Sequence, residues 1–185
     1  MRFLLLLVAL VLAPSVLAQD TPEAVATRMF EAMRAGNFDV VAAETHPDAQ
    51  RSIHDFALML AERDTTGIFM GMFFDEGTPG ALRELPPEQA YARFIGAALR
   101  LQPAVMEALQ TMRATILGTV YEGDSLAHVV QRSVTTVQGV SMTKMEVVSF
   151  KRTENGWKAL LKGDIAAMTE LIRTQLSATN EDDAP

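Results

Sequence analysis

The sequence predicts an α+β fold in which N-terminal helices pack on one face of a C-terminal four-stranded antiparallel meander, with a final helix after the sheet. Apolar residues recur at helical spacing from about residue 21 to residue 112, and from about Arg113 the period changes to two. Turn residues separate four alternating runs, and Asp164 after the last run is suited to cap a helix.

Residues 1–18 are predicted to be a signal peptide. Arg2 precedes an apolar run that breaks at Pro14, and the segment ends on the small residue Ala18. The alternative is a membrane anchor, but residues 3–18 are shorter than the roughly 20 apolar residues that a spanning helix needs. We therefore expect a periplasmic or secreted protein, cleaved near Ala18 and without a stable membrane anchor afterwards.

The composition narrows the class of protein further. The chain has no cysteine, which excludes disulfides and thiolate sites. Its formal net charge is −7, or −8 once Arg2 is removed, and an acidic protein is poorly suited to nucleic acid. Residues 19–176 have the length of a single α+β domain, and residues 177–185 are predicted to be an acidic, disordered tail.

Helix boundaries are marked in the first half of the chain. Thr21-Pro22 is typical of a helix start and Gly36 of a helix end; a short helix is predicted from Phe38 to Thr45 and another from Pro47. The long helical pattern after Pro86 should break at Pro103.

The apolar segment Gly67–Phe74 shows no clear period, and turn-forming residues follow it. Within residues 64–87 we expect a buried connection, a short strand, or a lid over a pocket.

Four strands are predicted at 114–121, 126–137, 140–151 and 157–163, joined by hairpin turns at 122–125, 138–139 and 155–156. The turns imply a register, and the register assigns side chains to faces. The apolar residues expected to face the helices are Ile116, Val120, Val129, Val148, Phe150, Trp157 and Leu161.

Four polar residues share that apolar face: Gln131, Ser133, Lys144 and Glu146. Either this end of the sheet is wet and the charges are ordinary surface groups, or the four residues line a ligand pocket with apolar walls. In the second case Glu146 could act as an acid or base whose pKa is raised by burial.

The opposite face carries an apolar stripe formed by Leu117, Val130, Val147 and Leu160. Such a stripe can be a homodimer interface, or it can be a half-exposed sheet with scattered apolar residues.

No cofactor or metal is predicted. The three histidines, His46, His54 and His128, have no metal-type spacing, and the methionines, Met70 and Met72 included, are more typical of core packing than of a copper(I) site.

Two short motifs accompany this order of elements, Gly-Asn-Phe-Asp at 36–39 and Asn-Gly-Trp-Lys at 155–158. On these grounds residues 21–176 resemble the nuclear transport factor 2-like superfamily, a cone-shaped α+β fold that includes steroid isomerases. The helical region between residues 47 and 112 is longer than in a minimal member. The resemblance implies a cone-shaped pocket and allows isomerases, dehydratases, hydrolases, cyclases and non-catalytic binding modules.

Three functions follow as hypotheses: an envelope protein that binds a small apolar molecule or a protein partner in its cone; an isomerase, dehydratase or hydrolase that uses Glu146; and a dimerising scaffold. A cavity that reaches Glu146 would support the first two hypotheses. A cone filled by Phe69, Phe73 and Phe74 would support the third.

Overall fold

The computed structural model describes residues 21–75, 77–137 and 139–182. The predicted signal peptide, one residue of the predicted 138–139 turn and the last three residues lie outside these ranges. The described elements, in chain order, are α1 (Pro22–Ala35), α2 (Phe38–Ala43), α3 (Pro47–Glu62), α4 (Ile68–Phe74), α5 (Pro79–Glu84), α6 (Pro87–Arg100), α7 (Pro103–Thr111), β1 (Arg113–Glu122), β2 (Leu126–Val137), β3 (Val140–Thr153), β4 (Gly156–Ala159) and α8 (Gly163–Asp182). The predicted α+β class is therefore confirmed.

The strands form one antiparallel sheet in the order β1-β2-β3-β4. Its inner face carries Val129 and Phe150, which are fully buried with Trp157 and with Val25 of α1. Helices α1 and α7 pack on the sheet, and α2, α3 and α6 form a second cluster around Phe38. The opposite side of the sheet is called the outer face below.

Capping explains where the first helices begin and end. The Thr21 hydroxyl accepts a hydrogen bond from Ala24 N–H, and Gly36 ends α1 with φ 69°. The hydroxyl of Thr119 donates to the Glu23 carboxylate, which ties the start of α1 to β1. Within the described residues, no helix is long and apolar enough to cross a membrane.

The described part of the segment between residues 64 and 87 forms two short helices, α4 and α5, and not the short strand that was one of the expected alternatives. The rings of Phe69 and Phe73 stack with centroids 4.9 Å apart, and Phe73 stacks on Phe94 of α6 at 5.0 Å. Because α4 is apolar on most of its surface, its helical period is hidden in the sequence. These phenylalanines pack between helices and do not fill a cone over the sheet.

The predicted pairing of β2 with β3 is confirmed. Val137 pairs with Val140, and Gln131 lies opposite Glu146 as Ser133 lies opposite Lys144. Only two residues connect Val137 with Val140, and so short a connection sets the register of the two longest strands.

The pairing of β1 with β2 differs from the prediction near the turn. Glu122 pairs with Leu126, so the turn has three residues and begins at Gly123 with φ 61°. Val120 consequently lies opposite His128 on the outer face, 59% exposed, and its predicted place on the inner face was wrong. A bulge at Leu117 restores the predicted pairing of Ile116 with Gln131.

Strand β4 is shorter than predicted and is shifted by two residues. Phe150 pairs with Ala159, and Leu161 lies beyond the strand. The α2–α3 connection occupies the other edge of β4, since His46 N–H donates to Ala159 O and Ala159 N–H donates to Glu44 O, both at 2.8 Å. A shift of two residues preserves the faces, so Trp157 still points inward.

Helix α8 extends through Asp182 and so includes most of the segment predicted to be a disordered tail. The sequence has neither glycine nor proline between Gly163 and Pro185, and nothing in the chain therefore breaks the helix before its end.

Candidate functional site

A cavity of about 290 Å³ lies between α1 and the inner face of β1 and β2. Its volume is near the lower limit of small-molecule sites. The lining residues are Ala26, Thr27, Phe30, Ala114, Ile116 and Gln131. Small alanines on both sides leave space that larger apolar residues would have filled, while Phe30 and Ile116 supply apolar walls.

Gln131 is the main polar group of this cavity. The residue is only 8% exposed, and its carboxamide has no hydrogen-bond partner among the described residues. Gln50 is equally buried, yet its amide donates to Ala42 O at 2.8 Å and to Thr45 O at 3.0 Å. Buried amides normally find partners because leaving them unpaired is costly. The Gln131 amide is therefore available to a molecule inside the cavity.

Thr27 is the other polar residue of the lining and is not among the four predicted site residues. Its hydroxyl donates to Glu23 O at 2.8 Å, so an oxygen lone pair remains to accept from a bound molecule. Its helical spacing from Phe30, which lies on the same side of α1, was the signal that could have identified it.

Ser133 is buried but does not line the cavity. Its hydroxyl lies 3.4 Å from Lys144 O on the neighbouring strand. Helix α7 packs against β2 close by, where the Thr111 hydroxyl donates to Thr136 O at 3.0 Å. The environment of Ser133 indicates a packing role.

Lys144 and Glu146 do not line this cavity. They line a groove of about 250 Å³ between β3 and the segment 160–163. Glu146 Oε1 accepts from Lys144 Nζ at 3.0 Å and from Lys162 Nζ at 3.1 Å. In the predicted strand 157–163, Lys162 would follow the inward-facing Leu161 and so lie on the opposite face. That assignment failed because β4 ends at Ala159 and the strand alternation ends with it.

The two lysines determine the protonation of Glu146. Burial alone would raise the pKa of this carboxyl, but the hydrogen bonds and positive charges of Lys144 and Lys162 hold the pKa below its ordinary value. The upward shift expected for an acid or base is therefore not found. An ionised, doubly paired carboxylate is a poor proton donor at neutral pH.

The four predicted site residues thus share one face of the sheet but not one site. Gln131 lines the inner cavity, Ser133 is packed beside it, and Lys144 and Glu146 line the groove at the edge of β3. The single pocket hypothesised from the register is replaced by two separate concavities.

The outer face carries the predicted apolar stripe. Leu117 and Val147 are exposed, whereas Val130 and Leu160 are half-buried. His128 lies on the same face, with Nδ1 2.9 Å from Ser149 Oγ and Nε2 3.3 Å from Glu122 Oε1.

The other two histidines have structural contacts. His46 Nδ1 accepts from Asp48 N–H at 3.2 Å, and His54 Nε2 lies 2.9 Å from Leu82 O. Among the described residues, no group of three or more histidine, aspartate or glutamate side chains is placed to hold a metal ion.

Comparisons of the chain with known protein families, with curated proteins and with solved structures found no match.

Proposed function

We propose that this protein binds a small, largely apolar molecule with one hydrogen-bonding group in the cavity between α1 and the sheet. The observation that carries the proposal is Gln131, a residue 8% exposed at the cavity wall whose carboxamide makes no hydrogen bond to a described residue. A ligand hydroxyl, amide or carbonyl would satisfy that amide, and the apolar body of the ligand would contact Phe30 and Ile116.

The composition of the walls supports this class of ligand. Four of the six lining residues are apolar, and none carries a charge. Apolar contact provides affinity in such a site and a few polar groups provide orientation. A charged ligand would lose its hydration without gaining an ionic partner, so ions are disfavoured.

Export belongs to the same proposal. Residues 1–18 would direct the chain to the bacterial envelope or the medium, where the binding domain would act without disulfides. Intact-mass measurement of protein from the producing cells would test this directly. A mature chain that begins near Gln19 is expected, and a chain that still begins at Met1 would contradict export by cleavage.

The binding proposal can be tested with a matched pair of probes, 1-naphthol and naphthalene, which differ in one hydroxyl. Titration followed by methyl NMR should shift the resonances of Ala26, Ala114 and Ile116, with 1-naphthol binding several-fold more tightly. Absence of shifts at these methyl groups at saturating probe would refute the cavity as a binding site.

A variant separates the contribution of the amide from that of the apolar walls. Gln131→Met keeps an unbranched side chain of similar length but has no amide, so the preference for 1-naphthol over naphthalene should fall to what the Thr27 hydroxyl alone provides. The control variant is Gln50→Met. Because Gln50 does not line the cavity, this variant should keep the preference for 1-naphthol. An undiminished preference for 1-naphthol in Gln131→Met would refute the role of this residue.

A further inference from the structure

Strand β3 has one open edge. Strand β4 covers β3 only from Phe150 to Thr153, and Leu160 N–H adds one bond to Ser149 O at 2.8 Å. The chain then turns toward the helices, where Leu161 and Ile165 pack against the cluster around Phe38. Among the described residues, no strand pairs with this edge of β3 before Ser149.

The backbone groups at this edge belong to alternate residues. Because Ser149 O points toward β4, the N–H and C=O groups of Thr143, Met145 and Val147 point the same way, while those of the intervening residues point toward β2. The Met145 and Val147 side chains lie on the outer face and are each 55% exposed. An exposed, regular edge of this kind favours the addition of another strand.

The order of residues along this edge is self-complementary. In an antiparallel pair of two identical strands with Met145 opposite Met145, each Lys144 lies opposite a Glu146 and each Thr143 opposite a Val147. Both charged pairs then lie on the inner face and the methionine pair lies on the outer face. All three edge-facing residues would exchange backbone hydrogen bonds, about six in total.

We propose that a second copy of this chain is the partner of this edge, paired antiparallel about a two-fold axis through Met145. The pairing spans residues 143–147 of each copy and stops there because Ser149 O already accepts from Leu160 N–H. The groove between β3 and residues 160–163 provides the space for the incoming strand. The two four-stranded sheets then form one continuous eight-stranded sheet, and the inner faces of both copies lie on the same side of it.

The other outer strand is less suited to this pairing. The bulge at Leu117 interrupts the regular spacing of β1, and bulges are a common protection against edge pairing. Strand β4 is already covered by residues 44–46. The β3 edge is therefore the place where the sheet can extend. This dimer is independent of the ligand-binding proposal, because none of its residues lines the inner cavity.

Cysteine cross-linking tests the register, since the natural chain has no cysteine. The two Met145 Cα atoms should lie about 5.5 Å apart, within the range for a disulfide. Met145→Cys in the full chain should give a disulfide-linked dimer under mild oxidation. Val147→Cys should not, because its two copies would be roughly 14 Å apart along the strands. A mixture of Thr143→Cys and Val147→Cys chains should cross-link to each other.

The proposed axis would be overturned by equal cross-linking of Met145→Cys and Val147→Cys. That result would indicate that two copies pack through their outer faces instead. Native mass spectrometry of the wild-type chain should show a dimer fraction that rises with concentration. A chain that stays monomeric up to about 1 mM would overturn the dimer altogether.

Charge reversal provides a second test that does not require oxidation. Lys144→Glu and Glu146→Lys should each weaken their own homodimer, since like charges then face each other across the axis. Mixed together, the two variants restore both opposite-charge pairs and should form the heterodimer in excess of the statistical half. A statistical or smaller yield of heterodimer, with both variants folded by circular dichroism, would refute the proposed pairing.

Discussion

Replacing Gln131 with methionine should stabilise the protein, which is the opposite of what most buried substitutions do. The Gln131 side chain is only 8% exposed at the wall of the cavity, and its carboxamide makes no hydrogen bond to a described residue. Methionine retains the length and flexibility of the side chain and lacks the polar group. The same change at Gln50 should destabilise the protein, although both glutamines are 8% exposed.

The magnitudes follow from the hydrogen bonds. An unpaired buried polar group costs about 1–3 kcal/mol, and because the cavity admits some water to Gln131 we expect a gain near the lower end, about 1 kcal/mol. Gln50→Met removes two donors; the Thr45 carbonyl is left unpaired, whereas the Ala42 carbonyl still accepts from Thr45 N–H at 2.8 Å. At about 1 kcal/mol for the bond to Ala42 and about 1–3 kcal/mol for the unpaired Thr45 carbonyl, the loss should be about 2–4 kcal/mol.

Urea unfolding of the two variants and the wild type measures both changes. The single tryptophan, Trp157, lies buried in the core against α1 and reports unfolding by its fluorescence. The denaturant dependence should be unchanged, so that the midpoint reports stability directly. A Gln131→Met variant less stable than the wild type by 1 kcal/mol or more would refute the claim that this amide is unpaired.

Three further results are expected from the packing and charge of other residues. Gly96→Ala should destabilise the protein by up to about 2 kcal/mol in thermal melts, despite the better helix propensity of alanine, because the new Cβ would lie 2.8 Å from Phe38 Cδ2. Gly80→Ala is the control, since its new Cβ would meet nothing closer than 3.7 Å. This control variant should be neutral or stabilising in the same melts. Phe150→Ala should cost about 3–5 kcal/mol in urea unfolding, since Phe150 is fully buried in the main core, and a loss below 1 kcal/mol would contradict that position. The pKa of Glu146 is lower in the folded than in the unfolded chain, so its ionised form stabilises the fold above about pH 4.3, and this contribution is lost as the pH falls through the folded pKa. Glu146→Gln should therefore lose stability less steeply than the wild type as the pH falls. Identical profiles of stability against pH for the two proteins would refute the ion pairs.

Much of the sheet could be predicted because its information is local. The short turn at 138–139 was sufficient for the register of β2 with β3, which brings Gln131 opposite Glu146. The errors in the predicted sheet arose in the pairing of β1 with β2. The three-residue turn that begins at Gly123 puts Val120 on the outer face, and the bulge at Leu117, which leaves no distinct local signal, restores the pairing of Ile116.

Contacts that are distant in sequence account for the other differences. Strand β4 ends at Ala159, where residues 44–46 of the α2–α3 connection bond to its other edge. That early end releases Lys162 from the strand alternation and brings it to Glu146. The expected pKa of Glu146 was reversed for this reason, since burial was predictable and the second lysine was not.

The sequence by itself determined the class of fold, the order of the elements and the face on which the polar residues lie, because helix caps, turns and periodicity are properties of neighbouring residues. Only the tertiary structure decided what each polar residue does. Gln50 and Gln131 are alike in type and in burial, but the bonds that one makes and the other lacks depend on which carbonyls the fold brings within reach. Hydrogen bonding acts over about 3 Å, so the availability of the Gln131 amide is a property of packing that no pattern along the chain encodes.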